Sequence, residues 1–301
     1  MAYDIQAGAI NHGIRKETID AMIKQIQPNI YKFKQACAVV ATSSYKNTFF
    51  REDPTVLAGQ TGNTFNGIPR GAAFPQQVVK WEEVSVRITK FGAEDNIMWE
   101  DIIAGDLAIQ TRTVIKLTEG VAKKVDDAIW TALTDNYVSG TTESLRIQSY
   151  AITTATGGRW DESSAAIIKD LFQAARLIGE KNYDTSGLMA FISPKDKKSI
   201  MNYLAEKGAQ FPSISTSVTQ SGDIGSIAGI SLVVSNSVPA SYALVVKPKV
   251  CATWKELVPL QSTTVEDPYR SLKIRVVEEG VTEVTDPLCV VLIKNTQSGN
   301  A

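Results

Sequence analysis

The chain has 301 residues, 44 % of them hydrophobic and 21 % charged, with a formal net charge of −1 at pH 7. That length allows one large domain or two medium ones with a sizeable core. The near-neutral charge excludes a dedicated nucleic-acid binder, which would carry a basic patch, and no apolar run approaches the ~20 residues of a membrane-spanning helix.

Residues 1–13 read as a loose arm without the charged start or apolar core of a secretion signal. A short helix is expected over 15–26, with Ile19, Met22, Ile23 and Ile26 on one face and Pro28 closing it. That face docks either on its own domain or on a neighbouring subunit, and the residues leave both open. Ile30, Phe33 and the small run 36–41 lie around it.

Residues 43–91 are the most unusual stretch. Two extended segments, 45–52 and 81–91, flank a tip over 58–75. The tip carries Gly59, Gly62, Gly67 and Gly71 with Asn63, Asn66 and Pro69, which favour turns and build no core. In the second segment Val84, Val86 and Ile88 point one way and Ser85, Arg87 and Thr89 the other, the mark of a half-buried antiparallel strand. A projecting two-stranded hairpin is marginal alone in water and needs another surface to lie on.

Residues 99–136 predict one very long helix around which the rest is organised. Val114, Leu117, Val121, Val125, Ala128 and Ala132 step by three or four residues, and Ile129 and Leu133 widen the stripe. Lys116, Lys123, Lys124, Asp126 and Asp127 are assigned to the opposite side. Helical from the Asp106 region onward, the segment spans roughly 45 Å at ~1.5 Å per residue, far beyond the usual ~11–12 residues.

Residues 138–158 are polar loop with one short strand at 145–152. An α/β pattern then begins. A helix over 164–180 presents Ile167, Ile168, Leu171, Phe172, Ala175 and Ile178, and a buried strand follows at 188–192. Ser193 as N-cap, Pro194 in the first turn and Asp196 at the positive dipole end start another helix, which ends before Gly208. A Ser/Thr loop over 209–223 precedes a glycine turn and strands at 230–235 and 242–247. The tail from Trp254 is β-rich. Leu272, Ile274 and Val276 alternate with Lys273 and Arg275, a short pair is expected after Gly280, and 288–294 form a closing strand. Residues 297–301 are expected to fray. No internal repeat or low-complexity linker occurs, so the lobes interleave.

Catalytic signals are thin. His12 is the single histidine and sits in the arm, away from any triad or histidine metal cluster in the body. Nucleophile-elbow, Cys-x-x-Cys, His-Glu-x-x-His and phosphate-loop patterns are absent. The glycine-rich run 222–229 precedes a strand, so it offers phosphate no helix N-terminus. Asp126-Asp127, Glu82-Glu83 and Glu278-Glu279 are adjacent pairs that point to different faces, and they read as solvated charge or intersubunit salt-bridge partners. Cys37, Cys251 and Cys289 lack metal-ligand spacing and read as small buried hydrophobes in a reducing cytoplasm.

The ordered combination resembles a known family. An arm, a hairpin ending in VSVRITKFG, an acidic turn AEDNIMWED, a spine helix ending VAKKVDDAIWTAL and an α/β lobe look like the major capsid protein of tailed viruses. The Ser193-Pro194 helix start and GDIGSIAGISLVVSNSVP extend the likeness over nearly the whole chain. This Hong Kong phage type of fold is shared with encapsulin shells. The resemblance implies an α+β chain made of an N-terminal arm (1–42), an extended hairpin loop (43–92), a peripheral domain with the spine helix (93–160 and 254–301) and an axial domain (161–253). It implies a non-enzymatic subunit of pentamers and hexamers in an icosahedral virion shell, assembled in a host cytoplasm around double-stranded DNA without sequence-specific binding. Cofactors and metals are not expected, nor is a membrane. Partners would be other copies, with separate scaffold, portal or decoration proteins possible, since no long charged scaffolding segment is seen. An encapsulin-like shell around a cargo enzyme is the alternative. Gly62, Asn63, Asn66, Arg70, Lys80 and Phe211 are the subunit-contact candidates.

Overall fold

The computed structural model describes residues 31–52, 70–72, 81–98, 100, 107–134, 147–153, 158–206, 225–267 and 270–298. The expected helix at 15–26, the hairpin tip apart from 70–72, and the loop over 209–223 lie outside these residues. Two sheets share one long helix, and a separate two-stranded ribbon stands beside them.

The first sheet has the order β1-β10-β11-β4, from β1 (Ala38–Ala41), β10 (Ala252–Asp267), β11 (Ser271–Val284) and β4 (Thr89–Met98). The helix α1 (Leu107–Leu133) packs against β11 and β4. Its 27 residues make a rod of roughly 40 Å. Val114, Val121, Val125, Ile129 and Leu133 are buried as the stripe requires, while Lys116, Lys123 and Lys124 are exposed. Ala122 and Trp130 are buried too, so the apolar face is broader than the sequence stripe. From the sheet, Ile97, Leu272, Ile274 and Val276 close the same core.

Two expectations for this sheet are corrected. The supposed acidic turn after Phe91 continues as β4, paired antiparallel to β11 with Ala93 beside Val276 and Ile97 beside Leu272. Partner hydrogen bonds and the burial of Ile97 outweigh the poor strand propensity of Glu94, Asp95 and Asn96. Likewise β11 does not break at Gly280. A side chain there would stand 2.3 Å from Trp254 Cζ2 and 2.6 Å from Cε2, so the glycine makes room for a fully buried indole.

The second sheet runs β5-β12-β9-β6-β8-β7. Its strands are β5 (Gln148–Ala151), β6 (Met189–Ile192), β7 (Ser226–Ile227), β8 (Ile230–Val234), β9 (Tyr242–Val246) and β12 (Val290–Lys294). Alternate residues of its central strands serve two cores. Phe191, Leu244, Val246, Val290 and Leu292 join the core of α1 and the first sheet. Ala190, Ile192, Ala243, Val245, Val291 and Ile293 join the core of α2 (Ile167–Gly179) and α3 (Pro194–Glu206). Burial on both faces explains why these strands read as continuous apolar runs.

At the start of α3, Ser193 Oγ accepts the Asp196 backbone N–H at 3.1 Å and donates to Asp196 Oδ2 at 2.7 Å, the expected cap. Gln297 donates to Asp196 Oδ1 at 2.6 Å and is buried, and the Ser298 N–H bonds the Asp161 carboxylate. The chain is therefore tied down as far as Ser298 rather than frayed from 297.

Candidate assembly surfaces

The ribbon pairs β2 (Lys46–Glu52) with β3 (Trp81–Arg87), in register from Lys46 beside Arg87 to Glu52 beside Trp81. The expected single strand over 81–91 divides at Ile88. Ile88 is buried and donates its N–H to the Tyr45 carbonyl at 3.1 Å, and the chain then passes from the ribbon into the body sheet. Ribbon alternation matches the sequence reading: Val84 and Val86 are half-buried, and Ser85 and Arg87 are exposed. Phe49, Arg51, Val84 and Val86 face Ala132, Ile147, Thr282, Val284 and Pro287 across a cleft of about 180 Å³. The other face carries Lys46, Thr48, Phe50, Glu83, Ser85 and Arg87, all exposed, with Phe50 61 % accessible. The root of the ribbon leans on the body, and its outer face offers an aromatic ring to solvent.

The segment before β1 is wedged where α1 and both sheets meet. Phe33, fully buried in a short 3₁₀ turn (Phe33–Gln35), stacks on Phe191 at 4.4 Å and meets Trp130 edge-on at 5.5 Å. Asp126 of α1 accepts the backbone N–H of Lys32 at 2.8 Å and of Phe33 at 3.2 Å. Lys34 Nζ bonds Glu256 at 2.7 Å and Glu278 at 2.9 Å, and the Tyr31 hydroxyl donates to Glu278. The same ammonium lies 4.8 Å from the Tyr31 ring centre and 5.6 Å from that of Trp254.

Burial shapes the titration of these groups. It pushes the Asp126 carboxyl up to about 6, against the pull of three backbone N–H groups. It raises the Tyr31 phenol, helped by Glu278, and lifts the Cys37 thiol to about 12. For Lys34 burial works the other way, yet Glu278 and Glu256 outweigh it and hold the ammonium above its ordinary value. All three cysteines are buried and free, as the sequence implied.

Two sequence assignments are overturned here. Asp126 is not on the solvated side of the helix but 3 % exposed, and Glu278 is fully buried rather than a surface charge. Both carried a signal. Asp126 is four residues after Ala122 and three before Ile129, inside the buried face. Glu278 shares the even-numbered register of Leu272, Ile274 and Val276. Neither signal names a partner, because Lys32, Phe33 and Lys34 are remote in sequence.

Of the contact candidates, Arg70 is exposed in a turn beside Gly71, whose φ is 84°. Gly62, Asn63, Asn66, Lys80 and Phe211 lie outside the described residues. Among the described residues, no group of three or more His, Cys, Asp or Glu is placed to hold a metal ion.

A family model described as phage capsid protein matches residues 81–293. No curated protein matches the chain. Among solved structures, the capsid of cyanophage P-SCSP1u is similar at 15 % identity and a TM-score of 0.64, covering 88 % of each chain. The mature capsid of bacteriophage PhiM1 follows at 15 % identity and TM-score 0.60, over 89 % of this chain and 88 % of that one. A virus-like particle from Pyrococcus furiosus is similar at 12 % identity and TM-score 0.59, over 92 % of this chain and 98 % of that one. Residues 81–293 take in α1, most of both sheets and one strand of the ribbon, β3, so the chain belongs to the phage capsid protein family and has the Hong Kong phage-type α+β fold.

Proposed function

We propose that this chain is the major capsid subunit of a tailed virus, closing as pentamers and hexamers into an icosahedral shell around a double-stranded DNA genome. The observation that carries it is the ribbon, whose outer face exposes Phe50 while the body beneath is filled by two apolar cores. In this reading 1–42 is an arm and 43–92 a loop laid over a neighbour. Residues 93–160 and 254–301 form the peripheral domain, and 161–253 the axial domain at capsomer centres. The hairpin-tip residues Gly62, Asn63, Asn66 and Arg70, with Lys80 near the hairpin and Phe211 near the axis, are the contact candidates. Assembly takes place in the host cytoplasm, with a separate scaffold protein or none.

The second reading is an encapsulin-like compartment shell around a cargo enzyme, kept because a virus-like particle from Pyrococcus furiosus is similar over nearly the full length of both chains. Electron microscopy of the recombinant protein, produced alone and with products of adjacent genes, tests both. Closed particles holding nuclease-protected DNA support the virion shell, and particles copurifying with an enzyme support the compartment. A protein that stays monomeric under every assembly condition overturns both.

A further inference from the structure

The outer edge of β1 ends the first sheet. On its inner side β1 runs parallel to β10, with Ala38 beside Thr253 and Ala41 beside Glu256. Among the described residues no strand pairs with its outer side. The Thr42 N–H reaches inward to the Glu256 carbonyl, and the Ala36 carbonyl accepts the Lys249 N–H. Backbone polar groups alternate in direction along a strand, so Val40 also points inward, and the N–H and C=O groups of Val39 and Ala41 point out.

Natural edge strands are usually protected by charge, proline or a bulge. β1 has none of these. Val39 is 50 % exposed and Val40 41 %, on opposite faces of the strand, and Val250, also exposed, follows the Lys249 that bonds Ala36. The strand is held firmly at both ends: by the wedged segment ahead of it, and by Thr42, whose N–H bonds Glu256 at 2.9 Å and whose hydroxyl bonds Asn47 at 3.2 Å. A rigid edge gives up little freedom on docking.

We propose that β1 pairs antiparallel with β1 of a second copy of this chain across a two-fold axis, with Val40 facing Val40. The inference rests on the shell-subunit reading and names one of its contacts. An isologous contact requires a patch that matches itself, and the alternation of β1 supplies one. In an antiparallel ladder, opposed residues are either both hydrogen-bonded or both not. The outward Val39 therefore opposes the outward Ala41 of the other copy, each pair exchanging both N–H···O bonds. Val40 meets its symmetry mate at the axis in the closer, non-hydrogen-bonded type of pair. Residues 38–41 carry no charge, so no like-charge repulsion crosses the axis. The pairing joins two four-stranded sheets into one. Its small size suits a shell, where symmetry repeats each contact many times.

Cysteine cross-linking reads this register. Opposed residues of a non-hydrogen-bonded pair have Cβ atoms about 4.5 Å apart, within disulfide reach, and the native cysteines are buried. Under mild oxidation Val40→Cys is expected to run mostly as a disulfide dimer on a non-reducing gel. Val39→Cys alone stays monomeric but cross-links when mixed with Ala41→Cys. If Val40→Cys folds poorly, that mixture reads the same register. Absence of the Val40→Cys dimer, in particles or in concentrated solution, overturns the pairing, as does a Val39→Cys dimer formed equally fast. Electron microscopy of the unmodified protein reads shell formation separately, so that either idea can fail without the other.

Discussion

Asp126 on the long helix accepts the backbone N–H of Lys32 at 2.8 Å, joining residues 94 positions apart in sequence. With Phe33 as a second donor, its carboxylate caps the 3₁₀ turn that leads into β1. Asp126→Ala leaves two inward-facing donors without that acceptor and is expected to cost about 2 kcal/mol in urea unfolding. The carboxyl's folded-state value, about 6, lies above the 3.8 of an unperturbed aspartate. Protonation is therefore favoured in the folded chain. The stability this group contributes is full below pH ~4 and is lost as pH rises through ~6. The stability gap between the native protein and Asp126→Asn is accordingly expected to be wider at pH 4 than at pH 7, and a gap that widens with pH contradicts the burial argument.

Lys34 neutralises Glu278 where no water reaches it. Lys34→Met strands that carboxylate and is expected to cost about 3–5 kcal/mol. Adding Glu278→Gln should recover part of the loss, because the buried charge is gone. Chemical denaturation of the two variants checks both, and strict additivity would mean the residues do not couple.

The long helix packs against β11 and β4 of the first sheet and carries the apolar face that closes their core. Val121→Pro places a proline in mid-helix at a buried position, at a cost of about 3 kcal/mol or more. It is expected to abolish assembly. Particles of normal shape by electron microscopy would show that a continuous rod is not required.

Phe50 separates folding from assembly. Its ring is exposed on the outer face of the ribbon, so Phe50→Ser is expected to shift stability by no more than about 0.5 kcal/mol. Particle yield should nevertheless fall sharply. Equal yields from both proteins would remove this face from the set of subunit contacts.

Much of this was legible in residue order. The stripe from Val114 to Leu133, the alternation of Val84 and Val86, and the Ser193 cap all reappear in the structure, since each depends on neighbours within a few positions. The errors cluster where a distant partner decides. Residues 94–96 look like a turn until β11 pairs with them, and Gly280 looks like a break until Trp254 fills the space its missing side chain leaves. Asp126 and Glu278 look like surface charges until the segment around Phe33 and Lys34 is wedged against them.

Periodicity and capping, acting over one or two turns, determined from the sequence alone that this chain builds a long helix, a hairpin ribbon and a mixed α/β lobe. Tertiary structure decided which charges are buried and, among the described residues, which strand ends the first sheet. Burial is a property of the assembled layers, and a carboxylate three residues from an isoleucine is solvated or sealed only once the opposite face is in place. The wedge of Tyr31, Phe33 and Lys34 between the two sheets is such a face, and it leads directly into β1 at the edge of the first sheet.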